Sequence, residues 1–402
     1  MNTGEKEGVN TESVIVLNGS YHNTLTIVQS LAKKGIPVIV GDKARGIKSY
    51  FGEAMLSRYP HHRFLYPFPE SSPLAFIDTI NRISEKYNAL ILLPVGADTY
   101  VAVSAFREYL HSHIRTVLAD DSLIQKAHDK YTCLKFAEEI GVRIPQTRLL
   151  REISSADDIM EMGLPLVIKP RKGAGSLGVK IVDNVNDVMG LRKNLAQKFI
   201  KNDYQTFKIY DDSDPLVQEF IEGPIVDACV IADHGEIKAM VTQERLKTLP
   251  PQGGYGVMNK TVMLPEVKEM AERLITGLGW HGLAQVEFKY NPRDATYRLM
   301  EVNPKFWGTL AISVAAGVDF PYMAYQMAKG DNVKPVIGFK ENCVYRWVLP
   351  NELLHVVQSD NRKEAFKQYI KDFFKPAHYN IDLRDPLPIV SLFLKFLDKR
   401  IV

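Results

Sequence analysis

Cysteine is scarce, with three residues in 402, at positions 133, 229 and 343. They are odd in number and far apart. This excludes a disulfide framework and the usual zinc spacings, and it fits a reducing cytoplasm. No apolar run approaches the roughly 20 residues that cross a bilayer. Met1–Ser13 is polar and lacks the apolar segment of a signal peptide. The formal charge of +3 is small for this length and gives no reason to expect a nucleic-acid partner. Two histidine pairs, His61-His62 and His111-x-His113, have no further ligands at useful spacing and read as solvent-facing. What remains is ordinary for a globular chain, 46% apolar and 24% charged. Its length calls for two or three domains.

The most informative stretch is Leu164–Val182. The apolar run Leu166–Ile168 leads into Lys169-Pro170. A loop carrying Gly173, Gly175, Ser176 and Gly178 follows, and then the alternating run Val179–Val182. The glycines spell G-x-G-x-x-G, but a dinucleotide fingerprint needs a helix directly after them. β-Branched residues follow instead, so the glycines are expected to join two strands as a hairpin. Backbone amides freed of Cβ interference form a concavity suited to phosphate, and Lys169 adds a fixed charge at its edge.

The first hundred residues read as an α/β unit. Val14–Leu17 and Val38–Val40 are buried strands flanking a helix over Thr24–Lys34, one βαβ step of a parallel sheet. Ala89–Leu93 is a further strand. Ligands in such sheets sit at the carboxyl ends of strands, which makes Asn18–Tyr21 and Gly96–Asp98 candidate substrate-facing loops. Asp129 is the expected N-cap of a helix ending at Gly141. Lys130 in its first turn opposes the helix dipole, a small penalty that a bound anion would offset.

Beyond the hairpin, Asp183–Ile200 reads mainly as helix, Pro215–Ile221 as an apolar segment, and Asp227–Ala232 and Ile237–Thr242 as strands. Leu249–Val257, rich in glycine and proline, reads as an irregular loop and a candidate substrate clamp. Leu283–Tyr290 and Tyr297–Asn303 form a hairpin around Arg293-Asp294. Alternation puts Gln285 with Glu287 on one face and Glu301 with Asn303 on one face, and the turn sets Glu287 opposite Glu301. Two carboxylates across a ladder repel unless a cation sits between them. Glu, Glu and Asn are hard oxygen donors suited to Mg²⁺. Pro388–Val402 is apolar with few cations and is expected to pack back on the body.

Taken together, three motifs resemble those of the ATP-grasp superfamily: Val-Ile-Lys-Pro…Gly-Ala-Gly-Ser-Leu-Gly-Val, Val-Gln-Glu-Phe-Ile-Glu-Gly and Met-Glu-Val-Asn-Pro-Lys-Phe-Trp-Gly. The match runs from about residue 119 to 330. It implies an α/β chain: an N-terminal Rossmann-like parallel-sheet domain (1–118), then an ATP-grasp fold of two α+β lobes (119–340). The lid lobe would span about 145–215 and the metal-binding lobe about 216–340, with 341–402 a C-terminal extension. The resemblance assigns Lys130, Lys169 and the loop Gly173, Gly175, Ser176 and Gly178 to ATP phosphates. It assigns Gln218, Glu219, Phe220 and Ile221 to adenine, and Asp227, at shifted spacing, to ribose. Glu287, Glu301 and Asn303 match the Mg²⁺ ligands, with Mn²⁺ as the alternative ion.

The implied chemistry is attack of a small-molecule carboxylate on ATP to give an acylphosphate, then displacement of phosphate by an amine. Arg245 is the candidate for stabilising the acylphosphate or binding a substrate carboxylate, and Lys305 stands where relatives often carry Arg. Bicarbonate activation, phosphoryl transfer and a non-catalytic nucleotide-binding role are the alternatives. A homodimer is left open as the assembly.

Overall fold

The computed structural model describes residues 12–173, 178–193, 214–251 and 253–397. Gly175 and Ser176 lie outside them, as does the second half of the helix expected over Asp183–Ile200. Its first part is helical from Val185 to Lys193.

The N-terminal sheet is parallel, in the order β3-β2-β1-β4. Its strands are β1 (Ser13–Val16), β2 (Val38–Lys43), β3 (His62–Tyr66) and β4 (Ala89–Leu93). Val14, Ile15 and Val16 are fully buried, because helices cover both faces of a parallel sheet and a continuous apolar run suits it. The expected βαβ step is present, its helix running His22–Ala32.

The glycine-hairpin lobe is a four-stranded sheet, β5-β8-β6-β7, made of β5 (Thr147–Leu149), β6 (Leu166–Lys169), β7 (Lys180–Val182) and β8 (Leu216–Glu219). β6 and β7 pair antiparallel with Leu166 opposite Val182, so the glycines do join a hairpin. The lobe has a hydrophobic cluster of its own, including Leu150, Ile159, Leu166, Ile168, Val182 and Val217. One boundary needs correction. β8 belongs to this lobe and not to the next, because Gln218 pairs with both Thr147 and Val167.

The third sheet has seven strands in the order β13-β12-β9-β10-β11-β14-β15. These are β9 (Ile225–Asp233), β10 (Glu236–Leu249), β11 (Tyr255–Thr261), β12 (Gly282–Asn291), β13 (Thr296–Asn303), β14 (Val344–Arg346) and β15 (His378–Tyr379). One expectation changes here. Leu249–Val257 is no long irregular loop: β10 continues through Leu249 and β11 starts at Tyr255. Ladder pairing between Thr248 and Gly256 overrides the weak strand preference of glycine. The C-terminal extension after 340 adds strands to this sheet, β14 and β15. It is anchored by the fully buried pair Arg346–Glu352 at 2.9 Å, with Lys247 2.7 Å from Glu352.

The terminal helix Leu387–Leu397 packs back as expected. Leu392 is buried, and the Asp385 carboxylate accepts from Ser57 Oγ at 2.6 Å and Arg58 N at 3.0 Å. Two apolar clusters join β1 and β4 to β9 and β12, one through Ile15, Leu92, Val230, Val286 and Phe288 and the other through Val14, Leu93, Ile231 and Leu283. The first domain and the seven-stranded lobe therefore share a core, and the glycine-hairpin lobe stands apart from it. Among the described residues, no helix is long and apolar enough to cross a membrane.

Candidate functional site

The register of β12 on β13 sets Glu287 directly opposite Glu301 and Gln285 opposite Asn303, as the turn predicts. The cations that this pairing demands come from three other elements. On the Glu301 side, Lys130 Nζ lies 3.1 Å from Oε2 and also donates to the Gly173 carbonyl at 2.7 Å. One ammonium thus ties the metal-lobe carboxylate to the start of the glycine loop. Lys130 is only 8% exposed. It opens the helix Lys130–Glu139, whose N-cap Asp129 accepts from Tyr131 N and Thr132 N. Arg171 Nε donates to Asp129 Oδ1 at 3.1 Å, and Lys130 N donates to Arg171 O at 3.0 Å, which docks the helix start beneath the loop.

Lys169, at the end of β6, is buried as well. Desolvation lowers its pKa to about 8 despite the attraction of Glu301, with Lys130 adding repulsion. Burial alone would raise the Glu301 carboxyl, but Lys130 and Lys169 outweigh it and bring it down to about 2. Glu287 moves the other way. Burial raises it, Arg245 opposes the rise, and Glu301 adds to it.

Arg245, on β10, reaches both Glu287 and Asp227 and donates through Nη1 to Gly254 O at 2.8 Å. Asp227 is fully buried. Its Oδ1 accepts from Arg245 Nη2 at 2.6 Å and Gln285 Nε2 at 3.0 Å. Its Oδ2 accepts from Arg245 Nε and Gln243 Nε2, each at 3.1 Å. The expectation that Asp227 reaches a ribose is thereby corrected, because its oxygens are committed to the sheet. Its work is to orient Arg245.

In the segment Gln218–Ile221, the hinge between the lobes, Gln218 is fully buried; Nε2 donates to Thr147 Oγ1 at 2.8 Å, while Oε1 has no partner among the described residues. Lys289 Nζ stands 5.3 Å above the Phe220 ring and donates to Ile221 O. Glu219 Oε2 accepts from Gln146 N at 3.3 Å. The segment is therefore gripped by both lobes. It leaves one buried acceptor unsatisfied, which a donor such as an exocyclic amino group would fit.

On the first domain, the two candidate substrate-facing loops meet. Asn18 Oδ1 accepts from Gly96 N at 2.7 Å and Thr99 Oγ1 at 2.6 Å. Asp98 pairs with Lys43 at 2.6 Å. Only glycine fits at position 96, since a Cβ there would lie 2.3 Å from Asp98 Oδ1. Lys305, beside Asn303, faces this junction and lines a small cleft with Ala97, Tyr100 and His128. Burial lowers the Lys305 pKa, and Asp98 and Glu301 oppose that shift. Among the described residues its ammonium has no ion pair. Sequence reasoning missed His128. Its Nε2 is buried without a partner among the described residues, and burial together with Lys130 pushes its pKa down to about 4. It also missed Lys289 and Lys43, which have no local motif to mark them.

The donor set fits Mg²⁺: two carboxylates and an amide, all oxygen donors, with Asn303 Nδ2 turned to Glu301 Oε1 at 3.0 Å. Three cations ring those carboxylates, the arrangement expected around a polyphosphate site.

Two family models match overlapping parts of the chain. "TupA-like ATPgrasp" matches residues 113–229, and "ATP-grasp in the biosynthetic pathway with Ter operon" matches residues 211–349. The chain is similar to a D-aspartate ligase of Enterococcus faecium, 24% identical over 57% of this chain and 57% of that one. It thus spans little more than half the length of that relative. It is also similar to a carbamoyl-phosphate synthase of Methanobrevibacter smithii, 24% identical over 67% of this chain and 70% of that one. Its fold resembles Staphylococcus aureus N5-carboxyaminoimidazole synthetase complexed with ADP, with a TM-score of 0.63 and 15% identity. That likeness covers 89% of this chain and 86% of the other. Fold and site together define a nucleotide-binding grasp of two lobes behind a Rossmann-like domain. The chain is a member of the ATP-grasp superfamily.

Proposed function

We propose that the protein is an ATP-dependent ligase that activates a small-molecule carboxylate as an acylphosphate and joins it to an amine, releasing ADP and phosphate. The observation that carries this reading is the convergence of Lys130 and Lys169 on Glu301, which sits across the ladder from Glu287. Such a set binds a metal–polyphosphate and has no side-chain nucleophile to offer, so catalysis rests on positioning and charge.

ATP lies between the lobes in this account. Gln218 Oε1 accepts from the adenine amino group, and Phe220 and Ile221 flank the base. Lys130, Lys169 and the amides of Gly173, Gly175, Ser176 and Gly178 hold the phosphates. Glu287, Glu301 and Asn303 would hold Mg²⁺, or Mn²⁺ in its place, and the ion would supply positive charge to offset that of the phosphate oxygens. Arg245, oriented by Asp227, carries charge toward the reacting carboxylate. Lys305 and the loops at Asn18–Tyr21 and Gly96–Asp98 receive the substrates. Closure of the glycine hairpin excludes water from the acylphosphate, which would otherwise hydrolyse.

The D-aspartate ligase relative puts aspartate, in both enantiomers, first in a substrate panel. A screen of amino acids and small carboxylates for ADP release tests the reading. Release that needs a carboxylate and an amine together supports it. Release with bicarbonate or a carboxylate alone favours the chemistry of the carbamoyl-phosphate synthase relative.

A further inference from the structure

At the opposite end of β9 from Asp227, three side chains from two loops meet at one point. Asp233 and His234 sit on the turn between β9 and β10, and His281 sits just before β12. Asp233 Oδ1 lies 2.7 Å from His234 Nδ1 and 3.0 Å from His281 Nδ1. All three ligand atoms fall within 4.8 Å of one another, and the two imidazole rings stand 4.5 Å apart. Two donors bound to one tetrahedral ion at about 2.1 Å stand roughly 3.4 Å apart. The two pairs that include Asp233 are shorter than that spacing by about 0.4 and 0.7 Å, and the pair of imidazole nitrogens lies within 4.8 Å, so small side-chain shifts would complete a coordination sphere.

The geometry of the turn also admits a histidine. Asp233 pairs with Glu236, which leaves a two-residue connection with positive φ at both His234 (48°) and Gly235 (89°). Asn-Gly fills that connection best, and His is one of the few other side chains that settle at positive φ there. Both loops are held from behind. Gly235 N donates to Trp280 O at 2.8 Å, and Thr276 Oγ1 donates to Gly235 O at 3.0 Å. Trp280 is itself fully buried. The two ligand-bearing segments are thus prepositioned by bonds that do not involve the ligands.

We propose that Asp233, His234 and His281 form a binding site for a borderline divalent transition ion, Zn²⁺ first, that clamps the β9–β10 turn to the start of β12. Two imidazoles and one carboxylate prefer Zn²⁺, Ni²⁺ or Cu²⁺ over Mg²⁺, the reverse of the all-oxygen set at Glu287, Glu301 and Asn303. Six residues of extended β9 separate Asp233 from Asp227, so the two sites lie about 20 Å apart and do not compete for one ion.

The test is calorimetric titration of chelator-treated full-length protein with Zn²⁺ in excess Mg²⁺, repeated with Co²⁺ to read ligand-field absorption. One equivalent should bind with micromolar or tighter affinity and raise the thermal midpoint. His281→Ala should weaken binding at least tenfold. His234→Asn, which suits the turn and so keeps it folded, should do the same and abolish the zinc-dependent rise in midpoint. The absence of a one-to-one event in the native protein overturns the proposal. So does binding unchanged in His234→Asn, which would direct attention to His111 and His113.

Discussion

Glu301→Gln is the most revealing single substitution. It keeps the shape and most hydrogen-bonding capacity of the side chain, and removes the charge on which two buried ammonium groups depend. The carboxyl falls from 4.5 unfolded to about 2 folded. A difference of roughly 2.5 units corresponds to about 3 kcal/mol. Because the folded value is the lower one, this contribution is complete above pH 4.5 and disappears as pH falls through 2. Urea denaturation of the two proteins at pH 7 should therefore differ by about 3 kcal/mol. At pH 3 the unfolded carboxyl is already protonated and the folded one largely is not, so the difference should shrink to less than half of that. Equal differences at the two pH values, or a variant as stable as the native protein, would refute the claim that Lys130 and Lys169 lean on this carboxylate. The same variant should lose carboxylate-dependent ADP release, since one of the metal's oxygen donors is weakened.

Lys169, with its pKa at about 8, should take up a proton when ATP binds near that pH, and ATP affinity should decline above it. Calorimetry in two buffers of different ionisation enthalpy reads that proton directly, and none should appear at pH 6. Arg245→Met strands the fully buried Asp227 and should cost about 3–5 kcal/mol by denaturant midpoint. Adding Asp227→Asn should restore part of that loss. Gln218→Leu removes the orphan acceptor in the hinge, and KM for ATP should rise about tenfold while kcat moves less than about twofold.

Local sequence carried the parts of this site that local rules govern. The Glu287–Glu301 register follows from a short turn and a period of two, and Asp129 announces its helix. The glycine motif resolves into a hairpin once Val179–Val182 is seen to alternate. The rest depends on which strands become neighbours, and periodicity does not encode that. β8 looks like any apolar segment, yet it joins the hairpin sheet because Thr147 and Val167 accept it on either side. Asp227 passed for a ligand contact because its commitment to Arg245 depends on a strand 18 residues away. Glycine content gives Tyr255-Gly-Val the look of a loop, and the pairing that makes it a strand exists only in three dimensions. His234 and His281, 47 residues apart, share no spacing rule that would have joined them.

The central claim is that a substrate carboxylate attacks ATP in the cleft between Lys169 and Glu301. It is tested most directly by supplying an ¹⁸O-labelled carboxylate, starting with aspartate, together with ATP, Mg²⁺ and an amine acceptor panel. Phosphorus NMR of the released phosphate reads the outcome. The account predicts one ¹⁸O atom transferred from carboxylate to phosphate, and none with Glu301→Gln. ADP release that leaves the phosphate unlabelled would contradict it.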